Sequence, residues 1–285
     1  MTDSESDHGD LSLDAIFPEP PRPQTPDPTI SVYHRLRNTT KNHGEVTIRL
    51  VGSHPLWGNY LWNSAICLAS YFEENESLCN DRSVLELGAG GGLPSIIASL
   101  NGARNVVITD YPDAALVNNM QHNVDHNISD EQVRQNIVVK VEIAVMLAWM
   151  RADALQGYIW GTPVHSLLDA FPPLAEGFDL IILSDLIFNH SQHDALLRTC
   201  ERTLRPATPF LDAKDPCVLV FYTHHRPHLA HRDMVFFDKA REQGWKCDKI
   251  IEQKYPPMFP DDPGAEEVRS TVHGWRLSKS STSVV

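Results

Sequence analysis

The run Glu86-Leu87-Gly88-Ala89-Gly90-Gly91-Gly92 follows a short apolar segment and precedes a helical one. Glycines permit a tight turn and let backbone amides approach a ligand closely. A dinucleotide site favours a further glycine placed for pyrophosphate at the helix start. Here Pro94 stands in the first helical turn, and Glu86 would sit badly beside a pyrophosphate. A cofactor with an amino-acid end and no phosphate suits these acids better. A glycine loop alone is a weak signal, because an unliganded turn has the same composition.

Asp110 lies about twenty residues past the loop, at the end of the next apolar run. A carboxylate there accepts hydrogen bonds from ribose hydroxyls. The competing role is a cap for the helix that Pro112 can open. Trp57 and Trp62 flank Gly58-Asn59-Tyr60-Leu61. Both types are usually core residues, yet a rim tryptophan can cover a cation through its ring face. Trp160 is either packing or a platform for an adenine ring. Ser184-Asp185-Leu186-Ile187-Phe188-Asn189-His190 leaves a strong apolar run and is the best candidate reaction centre. Asp185 can orient an amine and Phe188 can wall a substrate channel, while Asn189, His190 and Ser191 can cap the helix that follows. His190, His193, His224, His225, His228 and His231 invite a zinc reading, but no tight ligand set with supporting acids stands out. No metal is therefore expected. Tyr222 to Pro227 is expected to shape the substrate entrance.

These residues need a scaffold that brings them to one edge. Val46–Leu50 alternates like a half-exposed strand, and Leu61–Phe72 has helical spacing. Strands are expected at 83–87, 105–109, 178–183 and 216–222. Helices are expected at 93–100, 112–123, 191–204 and 232–243, the second of these opened by Pro112. Segments 246–254 and 271–277 read as a terminal antiparallel pair. Strand–helix alternation at this spacing implies a mostly parallel sheet covered on both faces, with ligands beyond the carboxyl ends of the strands. The glycine loop, Asp110, the Trp160 region and Ser184-Asp185 all fall at those ends. A strand is also required between the helix after Asp110 and the 178–183 strand, and 136–141 competes with 155–160 for it. The residues between read as an insert where a tight connection is usual.

The chain has 285 residues and is 42% hydrophobic, enough for a sizeable core. Its formal net charge of -13 and the lack of a long basic stripe argue against nucleic acid as a main partner. The five cysteines lack metal-ligand spacing and fit free thiols in a reducing compartment. Residues 1–28 carry seven acids, one arginine and six prolines, and are expected to be a disordered tail. Residues 29–285 are expected to form one domain. The apolar stretch 137–150 contains Lys140 and Glu142 and is too short and too charged to span a membrane.

The order Leu61-Trp62-Asn63, Leu85 to Gly90, Asp110, Trp160 and Ser184 to Phe188 resembles the seven-stranded, class I lysine methyltransferases. Gly52 to Gly58, Gly91 to Ile96, Thr109 to Asp113, Gly157 to Gly161 and Ser184 to His190 are similar to one branch of that family. This branch methylates the N-terminal glycine and adjacent lysine of translation elongation factor 1-alpha. The resemblance runs from about Val46 to Leu277. It implies a Rossmann-like fold and S-adenosylmethionine (SAM) as cofactor. It also implies cofactor contacts from Trp62, Trp57, Gly88, Ala89, Gly90, Asp110, Trp160 and Ser184. Asp185 and Phe188 fall on the family's acid-to-aromatic motif, with Phe188 where many relatives carry tyrosine, which argues against an essential phenolic base. A cytoplasmic, monomeric enzyme with elongation factor 1-alpha as partner follows from the same resemblance. The alternative is a small-molecule N-methyltransferase acting on nicotinamide. The absence of a recognisable Tyr-Lys pair counts against a dehydrogenase. Against the same relatives, 141–155 reads as a surface insert or an unspliced product.

Overall fold

The computed structural model describes residues 26–36, 44–55, 57–140, 158–170, 176–207 and 215–279. The expected insert at 141–155 and residues 1–25 of the expected tail lie outside them. In chain order the main elements are β1 (Thr29–His34), β2 (Glu45–Leu50), α1 (Asn63–Glu74), β3 (Ser83–Leu87), α2 (Leu93–Leu100), β4 (Asn105–Thr109), α3 (Ala114–Asn127), β5 (Ile137–Lys140), β6 (Leu180–Ser184), α4 (His193–Thr203), β7 (Cys217–Thr223), α5 (Ala230–Glu242), β8 (Trp245–Lys254) and β9 (Thr271–Lys279). Seven strands form one sheet in the order β5-β4-β3-β6-β7-β9-β8, and β1-β2 form a separate antiparallel ribbon. The pairs β4–β5, β3–β4, β3–β6 and β6–β7 are parallel, whereas β7–β9 and β8–β9 are antiparallel. This is the mostly parallel sheet with an antiparallel end that the alternation implied.

The central strands are mostly apolar and almost wholly buried because both faces are covered. Val84, Ile108, Ile182 and Leu219 point to a core shared with α1, α2, α3 and the ribbon. Leu85, Val107, Ile181 and Val220 point to a second core with α4 and α5. Neighbouring residues on a strand thus serve opposite layers, as the two-residue side-chain period requires. Because β4 and β6 lie on either side of β3, the chain reverses its direction of travel across the sheet there. The carboxyl ends of these three strands consequently open a crevice.

The boundaries differ from expectation at several points. The third helix starts at Ala114 instead of Pro112, because Asp113 caps it by accepting from Ala115 N and Leu116 N. Of the two competing segments, Ile137–Lys140 is the strand, and residues 158–160 are irregular. Ser191 caps nothing: its hydroxyl donates to Asn189 within a 3₁₀ turn (His190–Gln192), and α4 begins only at His193. Strand β6 begins at Leu180, with Phe178 contributing one isolated bridge to Leu204. Strand β1 was not anticipated at all.

The ribbon is fastened at two places. Glu73 of α1, 1% exposed, accepts from Tyr33 Oη (3.0 Å), Arg35 Nε (2.6 Å) and Leu36 N (2.7 Å). Removing one partner of a buried ion pair typically costs about 3–5 kcal/mol. The second fastening is a ladder of asparagines on one face of α3, at the i, i+4, i+8 spacing that aligns side chains. Asn127 exchanges hydrogen bonds with Thr47 N (2.9 Å) and Thr47 O (2.7 Å). Asn123 does the same with Arg49 N (2.9 Å) and Arg49 O (2.8 Å), and Asn119 Nδ2 also donates to Arg49 O (2.7 Å). The side-chain amides replace the neighbouring strand that β2 lacks on that edge. Asn123 Nδ2 also donates to Gly91 O (2.9 Å), so the ladder reaches the glycine loop.

Replacing Asn123 with Ala leaves the Arg49 N–H and the Gly91 carbonyl without these partners. We expect Asn123→Ala to lower the unfolding free energy by about 2 kcal/mol, read from urea denaturation. An unchanged midpoint would show that the ladder is decorative.

Candidate functional site

The glycine loop turns the chain from β3 into α2. Gly88, Gly90 and Gly92 have φ of 63°, 55° and 75°, the left-handed region that excludes most side chains. A Cβ on Gly88 would lie 2.5 Å from Leu186 Cδ2 and 3.2 Å from Trp160 Cζ2, whereas one on Gly90 would meet nothing within 4 Å. Gly88 is thus required for packing, and Gly90 faces open space.

Asp110 closes the loop. Its Oδ2 accepts from Gly90 N at 2.6 Å and its Oδ1 from Tyr111 N at 2.6 Å. Burial raises its pKa against the opposing pull of these two amides. The helix-cap role weighed for Asp110 belongs to Asp113. Glu86 lies fully buried beneath the loop and accepts from Ser95 N at 3.1 Å, while its Oε1 has no partner. Burial pushes its carboxyl up to about 8.

The remaining walls come from three directions. Tyr158 N donates to Asp110 O (3.0 Å), and Gly161 N donates to Thr199 Oγ1 (2.8 Å) on α4. These bonds fix the turn carrying Trp160. Trp62 stands just before α1 and its Nε1 donates to Trp57 O (3.3 Å). Trp57 has φ 63° and is 43% exposed. Tyr60 and Phe259 complete an aromatic group: Phe259 lies 5.3 Å from Tyr60 and 6.0 Å from Trp62 between ring centroids. Phe259 arrives from the β8–β9 connection, which the sequence reading did not connect with the site.

Ser184-Asp185 ends β6. Asp185 also has a left-handed φ, 57°, and is 5% exposed. Its amide donates to Phe221 O (2.7 Å), which ties it to β7. Its Oδ2 accepts from Ser64 Oγ (2.9 Å) and His225 Nε2 (2.9 Å), and its Oδ1 from Thr223 N at 3.4 Å. Strained backbone at a non-glycine residue is concentrated at functional sites. Among the described residues, two of the three non-glycine residues with positive φ, Trp57 and Asp185, wall this cleft.

The cleft has a volume of ≈ 340 Å³ and lies at the carboxyl ends of β3, β4 and β6. Trp57, Trp62, Gly88, Ala89, Gly90, Asp110, Trp160, Ser184, Asp185 and Phe188 all line it, so the structure brings every sequence-derived site residue together. His54, Tyr158 and Gln192 line it too and were not singled out, nor was Ser64 behind Asp185. Of Tyr222–Pro227, expected at the entrance, none lines the cleft, and His225 instead bonds Asp185. The flanking histidines serve locally: His190 and His224 both bond the Asp233 carboxylate, at 2.7 and 2.6 Å. The cleft walls contain two carboxylates, Asp110 and Asp185, and no lysine or arginine among the described residues. That donor set disfavours a pyrophosphate and fits a cationic ligand carrying a ribose and an aromatic base. Four of the large apolar side chains most exposed to solvent, Trp57, Tyr111, Ile159 and Phe188, ring the mouth.

Comparison with known proteins points the same way. A family model described as lysine methyltransferase matches residues 42–243. The chain is 43% identical over 287 residues to protein N-terminal and lysine N-methyltransferase EFM7 of Cryptococcus neoformans var. neoformans serotype D (strain B-3501A). That match covers 96% of this chain and 90% of the relative. The protein of the same description from Schizosaccharomyces pombe is 42% identical over 266 residues, covering 92% of this chain and 94% of its own. A solved Streptococcus mutans structure, described as that of a SAM-dependent methyltransferase, superposes with a TM-score of 0.51 at 11% identity. It covers 81% of this chain and 53% of that one, and the likeness is one of fold alone.

The raised Glu86 carboxyl has a thermodynamic consequence. The folded chain holds a proton there that the unfolded chain releases above its ordinary value of 4.5. This contribution to stability is therefore complete below about 4.5 and is lost as pH rises to about 8. In urea titrations across that window, Glu86→Gln is expected to flatten the fall in stability with pH. An identical slope in both proteins would show that Glu86 is ionised when folded.

Proposed function

The chain belongs to the lysine methyltransferase family, and on that premise we propose that it methylates the N-terminal amine and an adjacent lysine of translation elongation factor 1-alpha, using SAM. The observation that carries this reading is the acidic cleft at the carboxyl ends of the parallel strands, walled by the glycine loop, Asp110 and Ser184-Asp185. Relatives described as protein N-terminal and lysine N-methyltransferases support a protein acceptor, and so does the open apolar mouth. No helix among the described residues is long and apolar enough to cross a membrane. The reading further takes the enzyme to be a cytoplasmic monomer with one domain from residue 29 to 285.

When bound, SAM supplies a methyl group already activated by a positive sulfur. Asp110 would hold the ribose hydroxyls with the lone pairs left over from Gly90 N and Tyr111 N. Trp160 would stack on the adenine. The backbone of Gly88, Ala89 and Gly90, together with Ser184, would meet the amino-acid end. Trp62, with Trp57 beside it, would cover the cofactor from the aromatic side. Phe188 forms a wall for the incoming chain. Asp185 is the group in the cleft that can accept a hydrogen bond from an amine and aim its lone pair. An α-amine has an ordinary pKa of about 8 and a lysine of about 10.4. At neutral pH the N-terminal amine is neutral in roughly a tenth of molecules, and the lysine in fewer than about one in a thousand. The terminal amine is thus the easier acceptor, and the lysine depends more on how the site orients and desolvates it.

The test incubates the full chain with labelled SAM and elongation factor 1-alpha from cells lacking the enzyme. Mass spectrometry should find methyl groups on the N-terminal amine and the neighbouring lysine. Label confined to small metabolites sinks the proposal. Asp110→Ala should weaken SAM binding at least tenfold, about 1.4 kcal/mol, by calorimetry. Unaltered binding would remove the ribose role.

A further inference from the structure

Asp185 meets the cleft with a carboxylate whose two oxygens are in different situations. Its Oδ2 is held by two side-chain donors, Ser64 Oγ and His225 Nε2, both at 2.9 Å. Its Oδ1 has only the Thr223 amide, at 3.4 Å. One oxygen is therefore clamped, and the other retains accepting capacity. The clamp matters because Asp185 has a left-handed backbone and a short side chain, so its carboxylate direction is set by χ1 and by what grips it.

His225 does the gripping from an independent element. It lies two residues past the end of β7, and its amide donates to Thr223 O (3.0 Å). Its ring lies 4.7 Å from that of Trp62, which lines the cleft. His225 thus joins the acidic and the aromatic walls. The charged groups that face it are Asp185 at the end of β6, Asp233 on α5, and the adjacent Arg226. Burial works against its charged form, but Asp185 and Asp233 outweigh burial and raise its pKa above the ordinary imidazole value.

We propose that His225 is a positioning residue for methyl transfer: by donating Nε2–H to Asp185 Oδ2 and packing on Trp62, it aims the more lightly held Asp185 Oδ1 at the acceptor amine. The proposal rests on the methyltransferase reading above. Ser64 fixes the same oxygen from α1, so the two donors together determine the carboxylate plane. The donor is needed whether the ring is neutral or charged, since both forms can keep Nε2–H.

The test compares the full-length wild type with His225→Ala and His225→Gln, using elongation factor 1-alpha as acceptor. The glutamine amide can reach about where Nε2 stands and donates likewise. His225→Ala should lower kcat at least tenfold with the Kd for SAM changed less than threefold. His225→Gln should recover most of kcat. Wild-type turnover in His225→Ala overturns the proposal, and so does an equal loss in both variants. If His225→Ala does not fold, ring ¹⁵N spectra of the wild type and Asp185→Asn decide the matter. The wild type should show a protonated Nε2 titrating above free histidine, and Asp185→Asn should lower that midpoint. Indistinguishable spectra would overturn it. A wild type that methylates no protein refutes the underlying function instead, and the spectra still report on the clamp.

Discussion

The site depends on the hydrogen bond from Gly90 N to Asp110 Oδ2, at 2.6 Å. It joins the loop that follows β3 to the end of β4, so the relative height of two neighbouring strands sets the shape of the cleft. The bond is possible only because Gly90 takes a left-handed φ of 55°, which turns its amide toward β4. It also compensates for placing a carboxylate in a buried position, together with the amide of Tyr111. The same carboxylate then has lone pairs left for a ligand. On the proposed function, the group that holds the loop together is also the group that would hold the ribose.

The fold and this part of the site were legible in the sequence because their causes are local. Glycines before a helix, an acid at a strand end and apolar runs of strand length each constrain a few adjacent residues. Asp110 and Ser184-Asp185 could be placed because parallel strands deliver their carboxyl ends to one edge, whereas Trp160 reaches the cleft from an irregular turn. The features that escaped are those whose cause lies far away in the chain. Strand β1 is short, partly exposed and preceded by prolines, and it forms only because β2 and Glu73 offer partners. His225 fell within a stretch expected near the substrate entrance, but nothing in its neighbourhood marks its bond to a residue 40 positions back. Phe259 lies in a polar, proline-rich connection whose composition gives no sign of the aromatic group it completes. The helix starts at Ala114 and His193 slipped for a different reason, since several nearby residues could each have capped them.

The asparagine ladder shows how a peripheral ribbon acquires an interest in the site. Asparagine is a poor helix former and a common turn residue, so four in one helix, three of them in the ladder, look unfavourable by propensity. Each carries a donor and an acceptor at the spacing of a peptide group, which lets α3 imitate the edge of a strand. Asn123 serves β2 and Gly91 together. A Cβ on Gly91 would lie 2.5 Å from Ile48 Cγ2, so the loop also rests directly on β2. The ribbon outside the sheet thus buttresses the glycine loop from behind. Local propensity is overridden because the polar groups of an edge strand have to be satisfied.

On the proposed function, the charge of the cofactor would help one site serve two amines of different basicity. An ammonium beside a sulfonium about 4 Å away is repelled by about 4 kcal/mol at an effective dielectric of about 20. That corresponds to about three pKa units, close to the gap between a lysine and neutral pH. A cationic cofactor would favour the neutral acceptor, against the opposite pull of the Asp185 carboxylate. What the protein must add is direction. On that reading Asp185, clamped at Oδ2 and only lightly held at Oδ1, would receive a hydrogen bond from the amine and orient it. An α-amine needs only about one unit of this help and a lysine about three. The same geometry consequently suffices for the first and is more strongly tested by the second.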